Sequence, residues 1–95
     1  MLERIKQALR ISGDSLDDDL LANIAAAVAD LLRRGVDASA DSSDTLVIKA
    51  VELYCKWMYD YLGKGEQWFS HYERLTIAMS QAKDYASEVY WEDGI

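Results

Sequence analysis

Residues 45–62 read TLVIKAVELYCKWMYDYL, and this stretch decides the class of fold. Apolar side chains recur at helical spacing on most of its circumference, and the polar positions form a narrow stripe. The predicted core face carries Val47, Ile48, Val51, Tyr54, Cys55, Met58 and Leu62, and the polar stripe carries Lys49, Glu52, Lys56 and Asp60. Glu52–Lys56 and Lys56–Asp60 have the spacing of helical ion pairs. A helix with so little polar surface must be buried on more than one side.

Three further helices are predicted around this segment, over residues 2–11, 16–34 and 66–82. Their apolar stripes are Leu2, Ile5 and Leu9 in the first, then Leu16, Leu20, Ile24, Val28 and Leu31 in the second, broadened by Leu21 and Leu32, and finally Trp68, Tyr72, Leu75, Met79 and Ala82 in the last. Gly13 and Gly35 are expected to end the first two helices, because glycine accepts the left-handed conformation there. The side of the second helix away from its apolar stripe carries small residues, Ala22, Ala26 and Ala29, which permit the close approach of a neighbouring element.

The sequence therefore predicts an all-α protein, a small bundle of four helices that forms one domain over residues 1–95. Residues 83–95 are expected to be a C-terminal arm, either helical or extended, because both periodicities fit them. The absence of proline from the chain favours long, uninterrupted helices.

The charge of the chain is −7 and is unevenly spread, with eight acidic residues against two basic ones in residues 11–44. Proteins that bind DNA tightly need a basic stripe to replace phosphate counterions, so tight DNA binding is not expected. The single cysteine cannot form an intrachain disulfide. The charged N-terminus lacks the features of a signal peptide, and the apolar run Leu20–Ala29 is about half a membrane-spanning length. We expect a soluble, cytoplasmic protein that does not enter a membrane.

The stretch SGDSLDDDLL, residues 12–21, has four aspartates within six positions and could be a metal site or a helix start. Ser15 and Asp18 fit the serine-x-x-acid pattern of a helix cap, with the aspartates in the first turn. A calcium loop counted from Asp14 would need an oxygen ligand where Leu16 stands and a glycine where Asp19 stands. We therefore interpret this stretch as a cap, with no metal. Asp41, Ser43 or Asp44 could each cap the third helix.

Cys55 and His71 are the candidates for nucleophilic catalysis. Nothing in the sequence lowers the thiol pKa of Cys55 or orients His71, and Cys55 lies on the apolar face of its helix. Phosphate-loop, zinc-helix and nucleophile-elbow motifs do not occur. The sequence predicts a protein that is not an enzyme and that has no cofactor.

Seven of the ten aromatic residues fall between Tyr54 and Tyr72. Four short helices cannot enclose all of these rings, so we expect Tyr54, Trp68 and Tyr72 to point inward and others to remain available to a partner. Tyrosine and tryptophan dominate protein–protein contacts, and surplus apolar surface marks interaction sites. The predicted subunit or partner interface comprises Leu46, Leu53, Trp57, Tyr59, Ile77, Tyr90 and Trp91.

The order of these elements resembles small head–tail connector proteins of tailed phages, also called adaptor or head-completion proteins. The matching residues in the N-terminal part are Leu9, Arg10, Ile11, Asp14, Asp17 to Asp19, Ala25 to Ala27 and Gly35 to Asp37. DTLVIKAVELYCKWMYDYLG, residues 44–63, is similar to the buried third helix of the family, and FSHYERLTIAMS, residues 69–80, to its closing helix.

The resemblance implies a non-enzymatic helical protein of the virion head–tail junction, acting in head completion and DNA packaging. Such proteins form a homo-oligomeric ring beneath the portal protein, extend the DNA channel and provide a platform for stopper or tail-completion proteins. DNA would pass through without specific binding. Two other classes remain open: an acidic inhibitor or DNA mimic that fills a basic cleft of a host enzyme, and a regulatory subunit. The aromatic excess disfavours a mimic, which needs charged rather than apolar display.

Overall fold

The computed structural model describes residues 1–82 and Tyr85, and this part of the chain holds four α-helices and one short 3₁₀ turn. The helices are α1 (Leu2–Leu9), α2 (Asp17–Arg33), α3 (Thr45–Met58) and α4 (Gly65–Gln81), and the 3₁₀ turn spans Tyr61–Gly63 between α3 and α4. The predicted all-α bundle is confirmed. Apart from Tyr85, the predicted C-terminal arm over residues 83–95 lies outside the described residues.

Helix α3 lies at the centre of the bundle, because α1, α2 and α4 all pack against it. Its Ala50, Val51 and Cys55 are 0% exposed. The expectation that this helix is buried on more than one side is confirmed. The buried core that surrounds it comprises Ile5, Leu9, Leu20, Ile24, Ala27, Leu31, Val36, Val47, Leu53, Tyr72 and Met79.

Helices α1 and α2 are each followed by a residue in the left-handed conformation. The N–H groups after each helix donate to the carbonyl groups of its last turn. After α2, Gly35 has φ 86°, its N–H donates to the Leu32 carbonyl at 3.1 Å, and the Val36 N–H donates to the Leu31 carbonyl at 2.9 Å. This is the Schellman arrangement, and it confirms the predicted role of Gly35. Helix α1 ends earlier than predicted, because Arg10 rather than Gly13 takes the left-handed conformation directly after it, with φ 57°.

Helix α3 ends at Met58, four residues before the predicted end at residue 62. Asp60 and Leu62 both have positive φ, 48° and 58°, which a continuing helix does not permit. The Asp60 carboxylate accepts the Gly65 N–H at 2.8 Å, so it is directed toward the start of α4. Met58 and Leu62 are 42% and 69% exposed, and their predicted place in the core is wrong.

Of the two ion pairs predicted along α3, one is present and one is absent. Lys56 Nζ lies 3.2 Å from the Glu52 carboxylate, as predicted. The predicted pair between Lys56 and Asp60 is replaced, because Asp60 has left the helix and Lys56 instead lies 4.6 Å from the centre of the Trp68 ring.

The predicted cap by Ser15 and Asp18 is wrong. Helix α2 begins at Asp17, the position before it is Leu16, and no side chain caps it. Ser15 lies inside a preceding turn that the Asp17 N–H closes onto the Asp14 carbonyl at 3.2 Å. The aspartates do fall in the first turn, and Asp17 contacts Lys6 of α1 at 2.8 Å. At α3 the cap is Asp44, one of the three predicted candidates, which accepts the N–H groups of Leu46 and Val47 at 2.9 and 3.3 Å.

The buried face of α2 is narrower than predicted. Leu20, Ile24 and Leu31 are buried as expected, whereas Leu16, Leu21 and Leu32 are 42%, 50% and 49% exposed. Ala27 supplies the remaining buried position, because it follows Ile24 by three residues and therefore lies on the same face. Ala22, Ala26 and Ala29 are exposed, so within the described part of the chain no neighbour makes the expected close approach.

Candidate interaction surfaces

The predicted interface residues divide into exposed, half-buried and buried side chains. Leu46 on α3 and Ile77 on α4 are 39% and 55% exposed and remain available to a partner. Leu53 is only 6% exposed and belongs to the core, so its predicted exposure is wrong. Tyr90 and Trp91 lie outside the described residues.

Trp57 and Tyr59 are half-buried because both already have partners within the chain. The Trp57 ring lies 4.3 Å from the Phe69 ring of α4. The Tyr59 hydroxyl donates to the Asp19 carboxylate and accepts from the Asn23 amide at 3.0 Å. Burial, together with the Asp19 hydrogen bond, raises the pKa of Tyr59 to about 12. Tyr59 therefore fixes the end of α3 to the start of α2, and only part of its ring is open to a partner.

The aromatic contacts show how α3 and α4 are oriented. Tyr54 packs against Tyr72 with ring centres 5.5 Å apart, and Trp57 packs against Phe69. The later residue of α3, Trp57, contacts the earlier residue of α4, Phe69, so the two helices are antiparallel. Extending this register places Ile77 opposite Lys49, just after the first turn of α3, and hence toward the same end of the helix pair as Leu46.

Exposed apolar side chains therefore occupy both ends of the α3–α4 pair. We name them the Leu46 end, comprising Leu46 and Ile77, and the Leu62 end, comprising Met58 and Leu62. Leu62 is the most exposed large apolar side chain of the described chain, at 69%, and it is held in the left-handed conformation, which is strained for leucine. The two surfaces are different in composition and lie at opposite ends of the α3–α4 pair.

The inward-facing aromatic residues hold the helices in place. Tyr72 is 0% exposed, and Tyr54 and Trp68 are partly buried against the core, as predicted. The Trp68 indole N–H donates to the Tyr61 carbonyl at 2.8 Å, which fixes the 3₁₀ turn onto α4.

A polar network that sequence reasoning missed joins α4 to α2. The buried Tyr72 hydroxyl donates to Asp30 Oδ2 at 2.6 Å, and Arg34 Nε donates to the same oxygen at 2.7 Å. Burial raises the pKa of Asp30, but the hydrogen bonds from Tyr72, Arg34 and Arg33 outweigh it and hold the pKa below its ordinary value. The four-residue spacing of Asp30 and Arg34 is a signal for their pair, whereas nothing local indicates Tyr72.

Cys55 and His71 differ in exposure, and among the described residues no hydrogen bond joins them. Cys55 is 0% exposed, and burial raises its pKa to about 12, which disfavours the nucleophilic thiolate. Its interpretation as a small core side chain is confirmed. His71 is exposed on α4, with its ring 6.2 Å from that of Trp68. Among residues 1–82 and Tyr85, no group of three or more histidine, cysteine or acidic residues could hold a metal ion. Over the same described range, no helix has the length and apolar character needed to cross a membrane.

A compact helical bundle with exposed apolar side chains at both ends is typical of small proteins that work by binding other proteins. The comparison with protein families gives the particular class. A family model described as phage connector protein matches residues 1–86, which include every described residue. The chain belongs to the phage connector protein family, which confirms the resemblance seen in the sequence. A search of the curated proteins and a search of the solved structures found no match.

Belonging to the phage connector family gives the general role of the chain. The connector family is a structural, non-enzymatic kind of protein. Its place is the virion head–tail junction, where it interacts with other head and tail proteins of the phage.

Proposed function

We propose that the chain forms a homo-oligomeric ring beneath the portal of a tailed phage, after folding as one domain in the cytoplasm of the bacterial host. The ring extends the channel through which DNA is packaged and gives stopper or tail-completion proteins a platform. The observation that carries this proposal, beside family membership, is the exposure of different apolar side chains at the Leu46 end and at the Leu62 end.

Two different surfaces per subunit are what a ring requires. In a head-to-tail contact each copy uses one surface to bind the copy before it and the other to bind the copy after it. Met58 is the last residue of α3 and Leu62 lies in the turn that follows, while Leu46 and Ile77 lie at the far end of the α3–α4 pair. The Leu62 end of one copy would therefore contact the Leu46 end of the next.

The size of these surfaces favours assembly on the portal rather than in free solution. Fully burying a leucine side chain stabilises by about 1.5–3 kcal/mol, and these side chains are already partly covered. Two such side chains at each end, between 39% and 69% exposed, give on the order of 3–6 kcal/mol per contact, which only approaches the lowest values for the cost of associating two free molecules. A portal that binds many copies side by side raises their effective concentration and makes weak lateral contacts sufficient.

The acidic character of the chain fits a channel that DNA must cross. With a formal charge of −7, a ring repels phosphate rather than releasing counterions from it. DNA would therefore pass without adhering to the subunits.

Negative-stain imaging of the purified portal, with and without the chain, tests the proposal. We expect an added ring with the wild type and its loss with Ile77→Asp and with Leu62→Asp. Ser70→Asp is the matched control, because Ser70 is an exposed α4 residue that the antiparallel register places opposite Lys56, between the two ends. An unchanged portal with the wild type would contradict the proposal. So would a one-to-one complex with a DNA-binding enzyme, which is the result expected of an acidic mimic.

A further inference from the structure

Helix α2 carries two apolar stripes, of which the bundle covers one. Leu20, Ile24, Ala27 and Leu31 form the buried stripe. A second apolar surface lies farther round the helix and is exposed, with Leu21 and Leu32 at 50% and 49%. We define the outer face of α2 by its exposed apolar residues Leu21, Ala22, Ala25, Ala29 and Leu32.

The outer face is long and free of charge along its length. Between Asp19 and Arg33, every exposed residue of α2 is leucine or alanine. That interval covers about 20 Å of helix. A solvated helix face normally carries polar or charged residues, so an apolar face of this length is typical of a helix with a second partner.

The charges at the two ends of the outer face identify the partner. Asp18 lies at its start and Arg33 at its end, and both side chains are exposed, Arg33 to 73%. When a second copy of α2 is turned end for end, each Asp18 comes opposite an Arg33. The same rotation brings Leu21 within two residues of Leu32, an offset of about 3 Å along the helix. It also brings the alanines together at the centre, where small side chains permit close approach.

We propose that the outer face of α2 binds the outer face of a second copy, antiparallel, about a two-fold axis near Ala25 and Ala26. Such a contact is self-complementary: the Leu21–Leu32 pair and the Asp18–Arg33 pair each form twice. Arg33 also contacts Asp30 of its own chain, and its exposure leaves guanidinium N–H groups open to the second copy. A single helix face is smaller than a standard protein interface, so the dimer is weak and depends on concentration.

The dimer is independent of the proposed ring. A two-fold contact closes on itself and cannot propagate, whereas a ring needs a head-to-tail contact. The outer face of α2 shares no residue with the Leu46 end or the Leu62 end. The paired form is therefore a state of the protein away from the portal, and the loss of one assembly leaves the other intact.

Sedimentation velocity over a concentration series from micromolar to millimolar tests the dimer in the free chain. Leu32→Asp is expected to abolish the wild-type dimer, and Ser70→Asp to leave it unchanged. Asp18→Arg and Arg33→Asp should each weaken the dimer roughly threefold to tenfold, since each removes two exposed ion pairs. The double variant restores both pairs with reversed signs and should return to within about twofold of the wild type. Circular dichroism checks that each variant is folded.

Cysteine cross-linking tests the direction of pairing. Leu21→Cys and Leu32→Cys are mixed and oxidised, while the buried Cys55 stays protected. An antiparallel pair forms the mixed disulfide in preference to either symmetric one. A chain that stays monomeric to millimolar concentration, a double variant no better than the single ones, or a dominant Leu21→Cys symmetric disulfide would each overturn the proposal.

Discussion

Tyr72→Phe tests the buried network that joins α4 to α2. The substitution keeps the packed ring and removes only the hydroxyl that donates to Asp30 at 2.6 Å. A hydrogen bond to a charged group contributes about 1.5–3 kcal/mol, and the lower end applies here because Arg34 still satisfies the same carboxylate oxygen. A loss of about 1.5 kcal/mol lowers Tm by about 6–12 °C in a domain of this size.

Thermal denaturation followed by circular dichroism measures this loss, with Tyr54→Phe as the matched control. Tyr54 packs against Tyr72, and among the described residues its hydroxyl makes no hydrogen bond, so we expect a change below about 0.5 kcal/mol. The pKa of Asp30 is depressed in the folded chain, so its contribution is present above the ordinary carboxyl pKa of about 3.9 and disappears as pH falls through the folded value. The Tm difference between wild type and Tyr72→Phe should therefore shrink in acid. Equal effects of the two substitutions, or a difference that grows in acid, would refute the reasoning.

Three further predictions concern local structure. Asp44→Ala removes the cap of α3 and should lower the free energy of unfolding, measured by urea denaturation, by about 1–2 kcal/mol. Ser15→Ala should change it by less than about 0.5 kcal/mol. A larger loss for Ser15→Ala than for Asp44→Ala would support the Ser15 cap predicted from the sequence. The Cys55 thiol should react with an aromatic disulfide reagent at pH 8 only as fast as the chain opens, and rapid reaction of the folded protein would contradict its burial. Gly35→Ala should cost about 1–2 kcal/mol in the same urea assay, because φ at this position is 86°, and an unchanged midpoint would show that the turn adapts.

Long periodic segments of the sequence predict the fold well because their signal is repeated over many residues. Examples are the centres of all four helices, the ion pair between Glu52 and Lys56 on α3, and Gly35, which follows α2. The ends are harder to predict because single contacts decide them. Helix α3 stops at Met58 since Asp60 bonds to the Gly65 N–H, and the start of α2 is displaced because Asp17 is held by Lys6 of α1. Both contacts depend on where another segment lies.

The interaction surfaces were predicted only in part. Spacing placed Ile77 correctly on the outside of α4, since its neighbours along that face are polar. Spacing failed for Leu53, because α3 packs against three other helices and its apolar positions near the middle are covered on most sides. For Leu21 and Leu32 the error was the reverse. Their spacing predicted burial in the core, but no other helix of the bundle covers them and both are exposed. An apolar pattern predicts that a side chain is buried. It does not distinguish burial within the same chain from burial against another chain.

Mass photometry of the portal assembly measures most directly whether this connector joins the portal as many copies. Each bound copy adds 10.8 kDa, so a ring raises the mass of the portal by a large and well-defined multiple of that value. The wild type is expected to give one sharp heavier species, and Ile77→Asp and Leu62→Asp to leave the portal at its own mass. An unchanged portal mass at saturating wild-type protein, or a gain of a single copy, would contradict the account.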